Sequence, residues 1–146
     1  MTTAVLDTNT LASGFVGFAI LTSTPGEILR LWRAGVFALV VSAPILVELG
    51  RVLRKPYFAQ RLTEADVRAD LELLMYQAIV AVALPIPRVA SHPEDDIILA
   101  TAASARANYL VTGDSQLQRL GSYQGVQVVS PRDFLTLLPA GIHVGE

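Results

Sequence analysis

The chain has 146 residues, 52% of them hydrophobic, and a formal net charge of −2 at neutral pH. That length suits one α/β domain over residues 1–146 with one principal core, because two half-length domains would each bury too little apolar surface. The absence of cysteine excludes disulfides, thiolate nucleophiles and cysteine-ligated metals, and the slightly negative charge argues against coating of duplex DNA through many phosphate contacts. A mean hydropathy of +0.48 is high for a soluble chain and predicts apolar surface covered by a partner, so a homo-oligomer is expected. The weakly charged stretch 8–26 carries Asn9, Ser13, Gly14, Gly17 and Pro25, which speaks against a membrane span. With no basic segment ahead of the first apolar run, a cytoplasmic location is expected.

In chain order, apolar β-branched runs predict strands over residues 4–6, 36–41, 79–84, 109–111 and 126–129, and helical periodicity predicts helices over 27–34, 44–53, 64–77, 96–107 and 131–138. Thr63 followed by Glu64 and Asp66, and Ser130 before Pro131, are helix-start signals. Strands that read as continuous apolar runs, such as Ala38-Leu39-Val40-Val41, are buried on both faces. The fold class is therefore a three-layer α/β/α arrangement around a mainly parallel sheet.

Ligands in such sheets lie beyond the carboxyl ends of the strands, and acids fall there repeatedly. Asp7 follows the first strand directly, where a charge is tolerable only if solvent, donors or a metal meet it; a turn or cap aspartate is the competing reading. In helix 44–53, Ile45, Leu46, Leu49, Val52 and Leu53 form the apolar face, while Glu48, Arg51 and Lys55 share one flank. As a plain surface ion-pair strip that flank would contribute under about 1 kcal/mol. Asp96 opens the next helix, where the helix dipole favours an acid, with Asp95 assigned to capping or solvent. Asp114 follows the strand Tyr109-Leu110-Val111 after Thr112 and Gly113. Each acid alone has an ordinary structural explanation, yet together they crowd one sheet edge. Hard divalent cations, Mg²⁺ or Mn²⁺, take oxygen ligands and supply the compensating charge.

Leu6-Asp7-Thr8-Asn9, then Glu48, then Asp95-Asp96 ahead of Leu99-Ala100-Thr101-Ala102, then Val111-Thr112-Gly113-Asp114 resemble the PIN-domain ribonucleases over nearly the whole chain. Through Glu48-Leu49 and Val52-Leu53-Arg54-Lys55-Pro56-Tyr57-Phe58 it is most similar to the toxin components of toxin–antitoxin pairs. The resemblance implies about five parallel strands, catalytic acids at Asp7, Glu48, Asp96 and Asp114, and supporting polar groups at Thr8, Asn9 and Thr112. Asp7, Asp96 and Asp114 would be metal ligands, with Glu48 a ligand or the group orienting the attacking water in phosphodiester hydrolysis of RNA. An antitoxin protein would be the partner. The segment after Asn9, with Gly14-Phe15-Val16-Gly17-Phe18, is more apolar than the family pattern.

Between Ile28 and Leu62 stand Arg30, Arg33, Arg51, Arg54, Lys55 and Arg61 against Glu48 alone, a basic segment that suits phosphate contact, with Arg51 and Lys55 favoured because they share the flank of Glu48. Trp32, Tyr57 and Phe58 read as core packing rather than base-stacking groups. His92 and His143 are too isolated for a histidine metal site. A non-catalytic RNA- or partner-binding module of the same fold is one competitor. A haloacid dehalogenase-like phosphatase is a weaker one, since Asn9 stands where its second aspartate is required.

Overall fold

The computed structural model describes residues 1–90 and 92–138. Along the chain run β1 (Thr3–Leu6), α1 (Thr8–Gly17), α2 (Thr24–Arg33), β2 (Ala38–Ser42), α3 (Ala43–Leu53), α4 (Pro56–Ala59), α5 (Glu64–Gln77) and β3 (Ile79–Ala81). They are followed by α6 (Pro93–Ser104), β4 (Tyr109–Val111), α7 (Ser115–Gln118), β5 (Ser122–Tyr123), β6 (Val126–Val129) and α8 (Pro131–Leu137). The sheet order is β3-β2-β1-β4-β6-β5, with β5 alone antiparallel. Val5 of β1 lies opposite Val40 of β2 on one side and Leu110 of β4 on the other, and all four residues from Ala4 to Asp7 are buried.

The chain steps outward from β1 through β2 to β3, then crosses back to β4 and β6 on the other side. Right-handed crossovers put the helices of these two journeys on opposite faces, which gives the expected α/β/α layering. The strand order reverses direction between β1 and β4, so the crevice beyond their carboxyl ends is the place such a sheet offers a ligand. On one face α8 packs against α2 and β4, where Phe134 meets Phe37 and Tyr109 edge-on, with centroids 5.1 and 5.7 Å away. On the other, α6 contacts β1, β2 and β4. A buried bond of 2.8 Å joins the Ser42 and Thr101 hydroxyls, seating α6 against the end of β2; Ser42 then makes no side-chain bond to cap α3.

The five expected parallel strands are joined, among the described residues, by a sixth that is antiparallel. The extra one forms a hairpin with β6 through Gln124 and Gly125, both at positive φ (48° and 84°), the backbone of a two-residue hairpin turn. The strand expected over 79–84 stops at Ala81 because its only neighbour, β2, ends opposite at Ser42. There the uncharged run from Leu73 to Pro87 leaves Ile79, Val80, Val82 and Leu84 exposed, the apolar surface anticipated from composition. The segment 8–17 is a helix: Asp7 caps it and Leu11 and Ala12 are buried on it. Its apolar glycine-rich character serves contact with α2. A Cβ on Gly14 would come within 2.7 Å of Leu29, and one on Gly26 would collide with the backbone of Gly17. The helices lie this close only because both positions lack a side chain. Gly26→Ala should therefore lower stability by about 1–3 kcal/mol through overpacking, read as a shift in the urea midpoint; an unchanged midpoint would contradict this packing.

Candidate metal-binding and nuclease site

Asp7 leaves β1 in extended conformation and caps α1: its Oδ1 accepts the Thr10 N–H at 2.8 Å. Its Oδ2 accepts the Thr112 hydroxyl at 2.6 Å, and its own N–H donates to the Val111 carbonyl at 3.0 Å. Thr112 is in turn held from β6 and α7, its N–H donating to Val129 and its carbonyl accepting from Gln118 Nε2. The Thr112 hydroxyl also accepts the Asp114 N–H at 3.0 Å, while Asp114 Oδ1 caps α7 through the Gln116 N–H at 2.8 Å. Thr112 thus ties Asp7 to Asp114 across the switch point.

Two adjoining clefts open at this edge. One, of about 530 Å³, is lined by Asp7, Asn9, Thr10, Asp95, Gly113 and Asp114 among others. The other, of about 300 Å³, includes Asp7, Thr8, Asn9, Glu48, Lys55 and Asp95. Asp7, Asn9 and Asp95 belong to both. Glu48 is held by Arg51 in an ion pair of 2.7 Å. Four carboxylates on four elements therefore face connected space, with Glu94 beside them.

On α6 the acid that lines the clefts is Asp95, not Asp96. Helix α6 begins at Pro93, with His92 at its N-cap, instead of at Asp96, and consecutive helical residues point about 100° apart. Asp95 shares the cleft side with Ile98, three residues on. Asp96 is buried the other way, its Oδ1 accepting the N–H groups of Val89 (3.1 Å) and Ala90 (2.7 Å). Arg88 Nε lies 3.0 Å from its Oδ2, in ion-pair contact but off the line of a hydrogen bond. His92-Pro93 is an extended residue followed by proline at the first helical position, a start signal already legible in the sequence. The Asp95 carboxyl is pushed above its usual value, first by burial and then by Asp114, Glu94 and Asp7, with His92 acting in the opposite direction. No hydrogen bond or ion pair to its carboxylate is found among the described residues.

The basic segment divides sharply. Arg30 donates to the carbonyls of Gly17, Phe18 and Ile20 beyond α1, and Arg33 bonds Gln77. Arg54 makes a two-point pair with Glu64, and Arg61 lies over the Tyr57 ring at 3.8 Å. Four of the six cations thus serve the fold, while Lys55 borders the second cleft and Arg51 lines a neighbouring hollow that shares Glu48 with it. Trp32 is buried in the core and Phe58 packs against it, whereas Tyr57 is more than half exposed. His92 lies 3.9 Å from Glu94; His143 is outside the described residues.

A PIN domain family model matches residues 3–116. The chain belongs to the PIN domain family. The match runs from β1 to the start of α7 and takes in Asp7, Glu48, Asp95, Asp96 and Asp114, and it removes the phosphatase alternative. In fold, this PIN domain is similar to a chain in the crystal structure of VapBC2 from Rickettsia felis bound to a DNA fragment from their promoter, with a TM-score of 0.58 at 14% identity over 88% of this chain and 98% of that one. No curated protein matches it in sequence. Because Asp96 satisfies two backbone N–H groups, Asp96→Ala should cost about 1–3 kcal/mol of stability. A urea titration showing Asp96→Ala as stable as the parent would contradict the anchoring part given to Asp96 here.

Proposed function

We propose that this PIN domain is a divalent-metal-dependent endoribonuclease that hydrolyses phosphodiester bonds in RNA, and that it is the toxin of a toxin–antitoxin pair. The observation that carries the nuclease reading is that Asp7, Glu48, Asp95 and Asp114 line two connected clefts, where burial first and then Asp114, Glu94 and Asp7 raise the Asp95 carboxyl against His92. Like charges gathered without donors are a cost that a cation removes.

An all-oxygen donor set of this kind suits Mg²⁺ or Mn²⁺. Among the described residues, no three acidic or histidine side chains are drawn together tightly enough to form a ready-made metal cage. That fits Mg²⁺, which keeps most of its waters and is commonly held by one or two carboxylates plus substrate phosphate. In this reading Asp7 and Asp95 hold the principal ion and Asp114 a second. When bound, such ions supply charge stabilisation at the phosphoryl oxygens and acidify water.

The chain's own residues do the rest. Thr10 and Thr112 fix the Asp7 carboxylate so that no reorientation is needed when phosphate arrives. Glu48, steadied by Arg51, faces the same cleft and orients the attacking water. Lys55 at the rim, with Arg51, meets the flanking phosphates of the strand. Thr8 and Asn9 lie beside Asp7 as polar lining.

The toxin role rests on the sequence resemblance and on the likeness in fold to a chain of VapBC2, an assembly seen on DNA from its own promoter. An antitoxin or a second copy would cover apolar surface such as the edge at β3. An RNA substrate implies action in the cytoplasm.

Purified protein should cleave single-stranded RNA in Mg²⁺ or Mn²⁺ and stop on addition of EDTA. Asp95→Asn should lower the rate by roughly 100-fold or more, since a lost ligand removes several kcal/mol of charge stabilisation. Cleavage that persists in EDTA after dialysis, or an Asp95→Asn variant as fast as the parent, would overturn the proposal.

A further inference from the structure

Beside the acidic clefts lies a third hollow, of about 370 Å³, with a different character. Its walls are aliphatic: Ala43, Pro44 and Val47 from the first turns of α3 face Ile97 and Ile98 of α6. Val47 and Ile97 are 65% and 39% exposed, so both present apolar surface to solvent. On a surface helix, positions 43, 44, 47 and 97 would ordinarily be polar, and nothing in the core requires them to be apolar. The hollow is not separate from the candidate site. Thr8, Glu48 and Ile98 line both it and the acidic cleft that holds Asp7 and Asp95, and Glu94 does the same. Arg51 stands at its edge, 69% exposed and paired with Glu48.

Resting on the ribonuclease reading above, we propose that this hollow takes one unpaired nucleobase of the RNA strand, next to the phosphate held at the carboxylates. Three features point to that occupant. A volume near the lower end of ligand pockets, ~300–1,000 Å³, suits a single planar base. Two opposed aliphatic walls match the two faces of a base, while Thr8, Glu94 and Arg51 bring a hydroxyl, a carboxylate acceptor and a guanidinium donor to the rim where its edge would lie. The shared lining makes the hollow and the acidic cleft adjoin, the arrangement that a base and a neighbouring phosphate of one strand require. Lys55, in the adjoining acidic cleft, supplies a cation for the strand's backbone, which an apolar peptide would not use.

Because no aromatic ring among the described residues lines the hollow, base contact should contribute at the lower end of the range seen for stacked bases, and selection should follow base size and shape more than a fixed hydrogen-bond pattern. The test compares a short single-stranded RNA with an oligomer of the same length that carries abasic riboses. Binding of both to the Asp95→Asn protein in Mg²⁺ is measured by fluorescence anisotropy. The base-bearing strand should bind about fivefold tighter or more, and Val47→Trp, which fills the hollow from an exposed position, should erase that difference. Ile97→Trp on the opposite wall should do the same, and circular dichroism establishes that each variant is folded.

Equal binding of the two oligomers, or a difference untouched in both tryptophan variants, overturns the proposal and assigns the hollow to another occupant. A cleavage assay on the parent separates this from failure of the parent reading. Cleavage with no base-dependent binding sinks the base pocket alone, whereas base-dependent binding without cleavage sinks the enzyme and leaves the pocket as a nucleic-acid site.

Discussion

A carboxylate held at both oxygens joins the two strands between which the sheet reverses direction. Asp7 accepts from the Thr10 N–H and the Thr112 hydroxyl, and through Thr112 the end of β1 is tied to the turn that presents Asp114. These bonds satisfy the first turn of α1, fix the exit of β4 and orient an acid at the place where an open sheet receives its ligand. Capping and the proposed chemistry are therefore compatible at Asp7. The group is rigid because it caps, and a rigid carboxylate is what an ion site requires. Asp114 likewise caps α7.

Asp95 differs from these in having no such fold-building partner. Burial and three neighbouring acids disfavour its ionised form, and the fold tolerates that cost at an edge where water and cations can enter. Placing charge repulsion beside two well-bonded carboxylates trades stability for a site that gains when a cation binds. Of the six cations in the basic segment, four are occupied in structural contacts and Arg51 is directed at Glu48, which leaves Lys55 in the cleft with Asp95. The basic character of that segment therefore describes the fold's own pairing more than an extended phosphate track.

Much of this was legible from residue types. Buried strands announced themselves as apolar runs ending in acids, and the caps at Thr63 and Ser130 stand where their side chains predicted. The helix after Asp7 was not legible, because its glycines and mixed apolar face carry no helical period; contact with α2 rather than propensity stabilises it. The hairpin turn at Gln124-Gly125 was missed because only its backbone, not a strong turn pair, marks it. The α6 acid that lines the clefts stands one residue before the one the sequence reading favoured. Both Asp95 and Asp96 suit a first helical turn, and choosing between them required the true helix start at Pro93 and the loop N–H groups that claim Asp96. The fate of the basic segment depended on partners far along the chain, such as Glu64 and Gln77, which no local pattern reveals.

The central claim is that Asp95 carries uncompensated charge which a divalent ion neutralises. Its folded carboxyl lies above its ordinary value, so the cost is fully present at neutral pH and disappears as pH falls through the raised value to below the ordinary one. Thermal melts at pH 7 of the parent and Asp95→Asn, each in EDTA and in excess Mg²⁺, test this directly. The account predicts that Asp95→Asn melts at or above the parent in EDTA, and that Mg²⁺ raises the parent's midpoint but moves the variant's much less. A variant that melts well below the parent in EDTA, or that gains as much from Mg²⁺ as the parent does, would contradict it.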